Sequence, residues 1–532
     1  MFSRLALAFA LVCAVPACAR TSSVRAGQGA AARTMRAEAT AVGRVADPAL
    51  QKLLRDHWQW YLAWAPVFAT TAGEHRYDDR IDDNSRNGIV IAREARHAFL
   101  DRARGVDFHR LSPDDQTTLS LFTELLAAEI ASEGCAFEEW SLSVADNPVT
   151  TWSNLPEQHR VSSRADAINL LARYRQIPRW IDNVVANLRR GAAAGLFANA
   201  ETTRRVITMV EALLARPIDE WPLLAPARAE PAFATDFRAT VEQGIRPAFT
   251  RYLAALKHDI LPHARDDSHA GIGSLPWGAS CYRAQIRAFT SLDRDPVELH
   301  ALGRSELARI HAEMAILGER LFGARDLAAI LLHLRNDPAL YFDSEDEVEA
   351  KARALLASAQ AAVSRVFATL PRSSCVVTRL PDYEAAYSTI AYYRPPHADG
   401  SKPGEYVVNV MAPKTRPRYE AEALAFHEAV PGHHLQIAIA QELGEVPAFR
   451  KFLGTTAFVE GWALYAERLA DELGLYSDDL ARLGRLGYES WRAARLVVDT
   501  GIHAFGWSRE QAVQFMLTNT TLAENNIRNE VD

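Results

Sequence analysis

From Leu50 onward, apolar residues recur every three to four positions with polar residues between them, the period of helices with one buried face. Ser112-Pro113-Asp114-Asp115 opens one such stretch with a capping serine, a first-turn proline and first-turn acids. Leu119, Leu121, Phe122, Leu125, Leu126 and Ile130 then make its apolar stripe. The same spacing predicts helices at about 165–174, 178–188, 202–214, 232–256, 296–317 and 347–367. It changes at Gly404-Glu405-Tyr406-Val407-Val408-Asn409-Val410-Met411, short and β-branched between Pro403 and Pro413, which predicts a strand. No repeat of solenoid length is present. The pattern predicts a mainly α, large multi-helix two-lobed protein, with a small strand element beside a bulged active-site helix. A Gly, Ser, His and Asp-rich stretch from Asp266 to Gly278 divides an N-terminal helical lobe, 47–270, from a C-terminal lobe, 271–532.

The first residues follow a different pattern. Arg4, an apolar run from Leu5 to Pro16 and small residues after it have the layout of a secretory signal over 1–19, with a run too short to span a bilayer. Val15-Pro16-Ala17-Cys18 resembles a lipobox with Cys18 as the lipidated residue, while Ala17-Cys18-Ala19 fits ordinary signal-peptidase cleavage. Residues 20–46, rich in Ala, Gly, Ser, Thr and Arg, read as a flexible leader. The expected location is therefore across the inner membrane, either periplasmic or anchored through Cys18. The first 46 residues carry six arginines against one acid, so the remaining body is more acidic than the net charge of −7 suggests. An acidic body with no Lys/Arg block argues against nucleic acid as a partner. Beyond the leader, Cys135, Cys281 and Cys375 are too widely spaced for a CxxC metal or redox motif; they allow one disulfide and one odd thiol.

The chemistry concentrates in Ala425-Phe426-His427-Glu428-Ala429-Val430-Pro431-Gly432-His433-His434-Leu435-Gln436. It begins as an HExxH zinc helix begins, but Pro431 occupies the position of the second histidine. On a continuous helix His433, at i+6, would point about 120° away and lie about 9 Å along the axis, so the two imidazoles could not share an ion. Pro431 lacks the N–H that would bond the carbonyl of His427, and Gly432 permits unusual backbone angles. The helix must bulge or break, which can carry His433 to the missing ligand position. His434, at i+7, returns to the original face about 10 Å along, and reads as an orienting or substrate-contacting group.

A third ligand is expected from Phe458-Val459-Glu460-Gly461-Trp462-Ala463-Leu464-Tyr465-Ala466-Glu467, where Glu460 and Glu467 share a helical face. Glu460, beside Gly461, could approach a metal closely, and Glu467 could orient a histidine. Arg495, Asp499 and His503 repeat every four residues. They form either an ordinary ion-paired stripe or a set in which His503 or Arg495 meets a substrate carboxylate or developing oxyanion. Tyr387, Tyr392, Tyr393 and Arg394 are candidate pocket residues, and the strand from Tyr406 to Met411 could hold an extended peptide by β-augmentation.

These residues resemble bacterial domain-of-unknown-function family 885, secreted and mostly helical proteins related to gluzincin zinc peptidases. The resemblance rests on HE-x-x-PGHH and on Glu460-Gly461-Trp462-Ala463, with support from Tyr392-Tyr393-Arg394-Pro395, Asp399-Gly400-Ser401-Lys402-Pro403-Gly404 and Arg495-Leu496-Val497-Val498-Asp499-Thr500-Gly501. It implies a substrate cleft and one zinc ion per chain held by His427, His433 and Glu460, with Glu428 as general base. The implied reaction is hydrolysis of peptide bonds, of short peptides in the cell envelope. The family pattern continues past Glu530-Val531-Asp532 into an arginine–tyrosine element and a Pro-Gly-Gln-Ala stretch with another tyrosine, so the expectation is either a C-terminally truncated lobe or a member without the last helices, in both cases without any oxyanion-stabilising tyrosine located there. The rival expectation is a catalytically impaired envelope lipoprotein that binds peptides. A carboxylate-bridged di-iron bundle needs paired Glu-x-x-His motifs and ranks last.

Overall fold

The computed structural model describes residues 41–380, 385, 390–396 and 403–532. The expected signal, Cys18, most of the leader and Tyr387 lie outside the described residues, as do 399–402. The chain is mainly α, and it divides into two compact units. The first runs to Asp267 and also takes in Leu443–Gly454; the second comprises Ser268–Glu442 and Thr455–Asp532. The division falls at the composition change near Asp266, but the return of Leu443–Gly454 to the first unit joins residues far apart in sequence. No described helix is long and apolar enough to cross a membrane.

In the first unit the principal helices are α1 (Pro48–Trp64), α2 (Arg86–Arg104), α3 (Pro113–Glu133), α4 (Arg164–Ala193), α5 (Ala200–Ala215) and α6 (Arg246–Ala255). Ser112 caps α3 by accepting from the Asp115 amide, as its sequence predicts. The two stripes at 165–174 and 178–188 are one helix, α4, which runs through Pro178. The stretch predicted as one helix at 232–256 is instead interrupted by a π-helical turn at Val241–Ile245. One core gathers Trp152, Tyr174, Trp221, Phe237, Phe249 and Tyr252. A second packs Leu50, Trp58 and Phe122 against Ala448 and Phe449 of the returning segment.

The second unit contains α7 (Gly278–Thr290), α8 (Pro296–Phe322), α9 (Leu327–Asn336), α10 (Glu345–Val363), α11 (Ala421–Glu428), α12 (His433–Glu442), α13 (Thr456–Glu472), α14 (Asp479–Phe505), α15 (Arg509–Asn519) and α16 (Glu524–Val531). Helices α8 and α14 lie along one another, and Gly303 permits the approach: a Cβ there would meet the Ala493 carbonyl and a Val497 methyl at 2.8 Å. The predicted strand is the middle of a three-stranded sheet of β1 (Cys375–Arg379), β2 (Ala391–Arg394) and β3 (Gly404–Val408), in the order β1-β3-β2. β3 runs parallel to β1 and antiparallel to β2, and every one of its residues is buried. This overturns the expectation that the strand from Tyr406 receives a peptide: both its edges are already paired. It ends at Val408, after which Asn409 donates through its side chain to the Ala385 carbonyl and accepts the Met411 amide. Cys135 and Cys281 each take part in a disulfide, and Cys375 is a buried free thiol on β1.

Candidate metal centre

Helix α11 stops at Glu428 and α12 starts at His433, so the sequence between them breaks the helix rather than bulging it. The Val430–Pro431 peptide is cis. Gly432 turns so tightly that a Cβ would fall well inside contact with the carbonyl oxygens of His427 and Phe426, a position only glycine fills. The turn is fastened from α13, where the Trp462 indole N–H donates to the Pro431 carbonyl at 2.9 Å. Helix α12 then resumes with the His434 amide bonded to the Ala429 carbonyl at 2.9 Å.

The break brings the ends of two helices to one point beside α13. His427, His433 and Glu460 each offer a ligand atom, all within 4.8 Å of one another. His427 Nε2 is 3.5 Å from one Glu460 carboxylate oxygen, and His433 Nε2 is 3.8 Å from the other. Ligands of a tetrahedral zinc with bonds of 2.0–2.1 Å stand about 3.3 Å apart. The donor set of two neutral-capable imidazoles and one carboxylate is that of a zinc site; the two histidine–carboxylate separations come within about 0.5 Å of the tetrahedral spacing, and all three ligand atoms lie within 4.8 Å of one another, so the side chains would draw together around an ion. Both histidines are buried while the Glu460 side chain is 56% exposed, so the group opens to solvent on the carboxylate side.

The supporting residues fix the rings. Glu467, fully buried, accepts from His427 Nδ1 at 2.7 Å, which turns Nε2 toward the other two candidate ligands. The Tyr476 hydroxyl donates to the Glu467 backbone carbonyl and holds that turn of α13. His433 stacks on Tyr393 of β2, ring centres 6.4 Å apart, with its buried Nδ1 lacking a hydrogen-bond partner among the described residues. His434 is a strut: the Tyr393 hydroxyl donates to its Nδ1 at 2.9 Å and its Nε2 donates to the Ser373 carbonyl at 3.1 Å, leaving no nitrogen for a metal. Gly404 makes room for that contact, since a Cβ there would meet His434 Nδ1 at 2.6 Å. Gly461 faces open space, so the approach of Glu460 does not depend on its being glycine.

Electrostatically the members of the cluster set one another's charge. Burial works against an imidazolium at His427, yet Glu460 and Glu467 outweigh it and hold the group up at about 9. Burial and the charge of His427 push His433 down to about 4. Burial disfavours the Glu460 carboxylate too, but the two histidines hold it down to about 2. Glu428, half-buried beside His427, is pushed up to about 7 by burial against the pull of His427.

Arg492 of α14 is a participant that sequence reasoning missed. Its guanidinium stands 3.5 Å from Glu467 and lies over the Tyr488 and Trp491 rings at 4.6 and 4.7 Å, and its charge reaches Glu428, Glu460 and His433. The predicted stripe on the same helix is engaged elsewhere. Arg495 makes a two-pronged pair with Glu530. Asp499 accepts from the Tyr282 hydroxyl. His503 accepts the Ile272 amide at Nδ1 and packs on the Tyr282 ring; it is not a member of the metal-ligating group. Tyr392 and Arg394 bond to each other on β2.

The family described as "Bacterial protein of unknown function (DUF885)" matches residues 66–532. The chain belongs to this family. Among solved structures, it is similar to one described as a putative lipoprotein from Colwellia psychrerythraea, with 23% identity, a TM-score of 0.84, and coverage of 91% of this chain and 89% of that one. It is also similar to one described as a putative lipoprotein of unknown function from Shewanella oneidensis, with 17% identity, a TM-score of 0.67, and coverage of 90% and 87%. At these identities the likeness establishes the fold alone. A search of curated proteins found no match.

Proposed function

We propose that this DUF885 protein is a zinc-dependent peptidase of the cell envelope that hydrolyses short peptides. The observation that carries the reading is the convergence of His427, His433 and Glu460 within 4.8 Å, with a second carboxylate, Glu428, next to a ligand histidine whose far nitrogen is held by Glu467. A zinc ion in that set supplies Lewis acidity and lets a water be deprotonated near neutral pH. The chain's own part is positional. Glu467 and the Tyr393 ring keep both imidazoles aimed at one point. Glu428 accepts the proton of the attacking water on a carboxylate oxygen and passes it to the departing amine, so no covalent intermediate with the protein is needed. Arg492 adds a fixed cation behind Glu467 and favours the ionised forms of Glu428 and Glu460. The placement in the envelope is supported by the descriptions of the two structural relatives as lipoproteins.

The test is elemental analysis of the purified protein together with turnover of a quenched-fluorescence peptide library. About one zinc per chain, lost in Glu460→Ala, with cleavage abolished in a zinc-replete Glu428→Gln variant, is the expected result. Absence of zinc after supplementation would overturn the metal assignment; full zinc with no cleavage of any peptide would overturn the peptidase reading and leave a peptide-binding protein.

A further inference from the structure

The first unit contains a second concave site, independent of the metal cluster. A cavity of about 200 Å³ lies among α2, α3, α4, α6 and the 141–148 segment, room for a small molecule and not for a folded partner. Its wall is part aromatic, with Trp64, Phe137 and Trp180, and strongly acidic, with six carboxylates against two arginines. Both arginines are already engaged: Arg93 with Glu138 at 2.8 Å, and Arg96 with Glu129 and Glu133 at 3.1 and 3.4 Å while it lies over the Trp64 ring at 4.8 Å. Asp83 and Asp146 bring further carboxylates to the wall, and among the described residues neither is paired with an arginine or lysine. The acid surplus therefore remains after every arginine of the wall has been counted.

A second observation points into the same space. Tyr252 is wholly buried, its ring sits in the core of the unit, and its hydroxyl has no hydrogen-bond partner among the described residues although it lines the cavity. A buried hydroxyl left unpaired is costly, so such groups are ordinarily satisfied by water or a ligand. The hydroxyl lies close enough to Asp146 to feel its charge. The Asp146 carboxylate and the Tyr252 hydroxyl both line the cavity and both offer acceptor oxygens, beside aromatic wall residues. That is a complement to an ammonium group, which has three donors and no acceptor, attached to an apolar body. An anion would meet the unpaired carboxylates instead. A metal ion is not favoured, because the cluster of metal-ligating atoms among the described residues is the one at His427.

We infer that this cavity is a binding site for a small organic amine, its ammonium set between Asp146 and the Tyr252 hydroxyl and its apolar part against Trp180 and Trp64. The inference does not depend on the peptidase reading. It is tested by calorimetric titration of the full chain with three probes of one shape and different charge: 2-phenylethylamine, 2-phenylethanol and 3-phenylpropionate. The amine should bind at one site per chain, with the alcohol weaker by about tenfold or more and the carboxylate not binding, the ratio expected for losing a charge-assisted hydrogen bond. Asp146→Asn should reduce amine affinity about tenfold, and Tyr252→Phe, which keeps the ring and its packing, should reduce it severalfold. In Glu460→Ala the amine affinity should be unchanged. Equal binding of the three probes, no binding of the amine, unaltered affinity in Tyr252→Phe, or loss of binding in Glu460→Ala would each overturn the assignment.

Discussion

Glu467→Gln isolates the contribution of the carboxylate behind the metal cluster. The residue is wholly buried, and one oxygen accepts from His427 Nδ1 at 2.7 Å while facing Arg492 at 3.5 Å. Glutamine keeps the shape and can still accept from Nδ1, so the ring stays aimed, but the bond changes from charge-assisted to neutral. Hydrogen bonds to charged groups contribute about 1.5–3 kcal/mol and neutral ones about 0.5–1.5 kcal/mol. The difference, about 1–2 kcal/mol, falls on the form of His427 that donates to a cation. Zinc affinity should therefore weaken about 5- to 30-fold, overlapping the lower part of the roughly 10- to 100-fold range found for partners of metal-bound histidines. Competition against a chromophoric chelator gives the dissociation constant directly. The Tyr476 hydroxyl bonds the backbone carbonyl of residue 467, so α13 keeps that contact in the variant. Zinc affinity within twofold of wild type, in a variant shown to be folded by its near-UV spectrum, would refute the argument that Glu467 acts through His427.

Three further outcomes follow from the same geometry. Gly432→Ala forces a Cβ into the carbonyls of His427 and Phe426, and should cost about 1–3 kcal/mol in urea unfolding along with zinc stoichiometry; wild-type stability would contradict the glycine requirement. In the first unit, Arg173 is fully buried and donates to the carbonyls of Pro66, Tyr77 and Arg80 and to the Thr70 hydroxyl, near Asp78. Arg173→Met strands those acceptors and should lower unfolding free energy by about 3–5 kcal/mol, read from the denaturant midpoint. Glu420 is buried, and burial pushes its carboxyl up to about 7 from 4.5 against the Thr521 hydrogen bond and Arg492. The folded state then holds a proton that the unfolded state has released, so its contribution is full below pH 4.5 and is lost as pH rises to about 7, at about 1.4 kcal/mol per pH unit and about 3 kcal/mol in all. Glu420→Gln should remove that slope; parallel stability profiles of wild type and variant from pH 4.5 to 7.5 would show that Glu420 does not carry it.

What the sequence reveals follows the range of the interactions involved. The helices are legible because periodicity and caps are local, as Ser112 shows for α3. The strands β1 and β2 are not, because Cys375–Arg379 and Ala391–Arg394 are too short to show a period of their own and become strands by pairing with β3 across many residues. The return of Leu443–Gly454 to the first unit is invisible for the same reason. At the site, His427, His433 and Glu460 are legible from the motif, whereas Arg492 is not. It stands in Trp491-Arg492-Ala493-Ala494-Arg495, and which of two arginines faces the cluster depends on how α14 is rotated, a tertiary matter.

The broken helix also explains why residues that look dispensable belong to one device. A continuous HExxH helix aligns its ligands by its own hydrogen bonds, so the scaffold costs nothing beyond helix formation. Here that ladder is interrupted at Pro431, and the alignment of His433 with His427 must come from outside the helix. It comes from three contacts: Gly432 against the His427 and Phe426 carbonyls, Trp462 on the Pro431 carbonyl, and Tyr393 bridging β2 to α12 through His434 while stacking on His433. Two of these reach in from other elements, and Trp462 sits two residues after the candidate ligand Glu460 on α13. The third member of the candidate ligand set and the fastening of the break are thus delivered by the same turn of one helix, so a shift of α13 moves both together. On the proposed zinc assignment the Glu-Gly-Trp-Ala element is a ligand and its clamp, and its tryptophan bears on the geometry of the cluster from outside it.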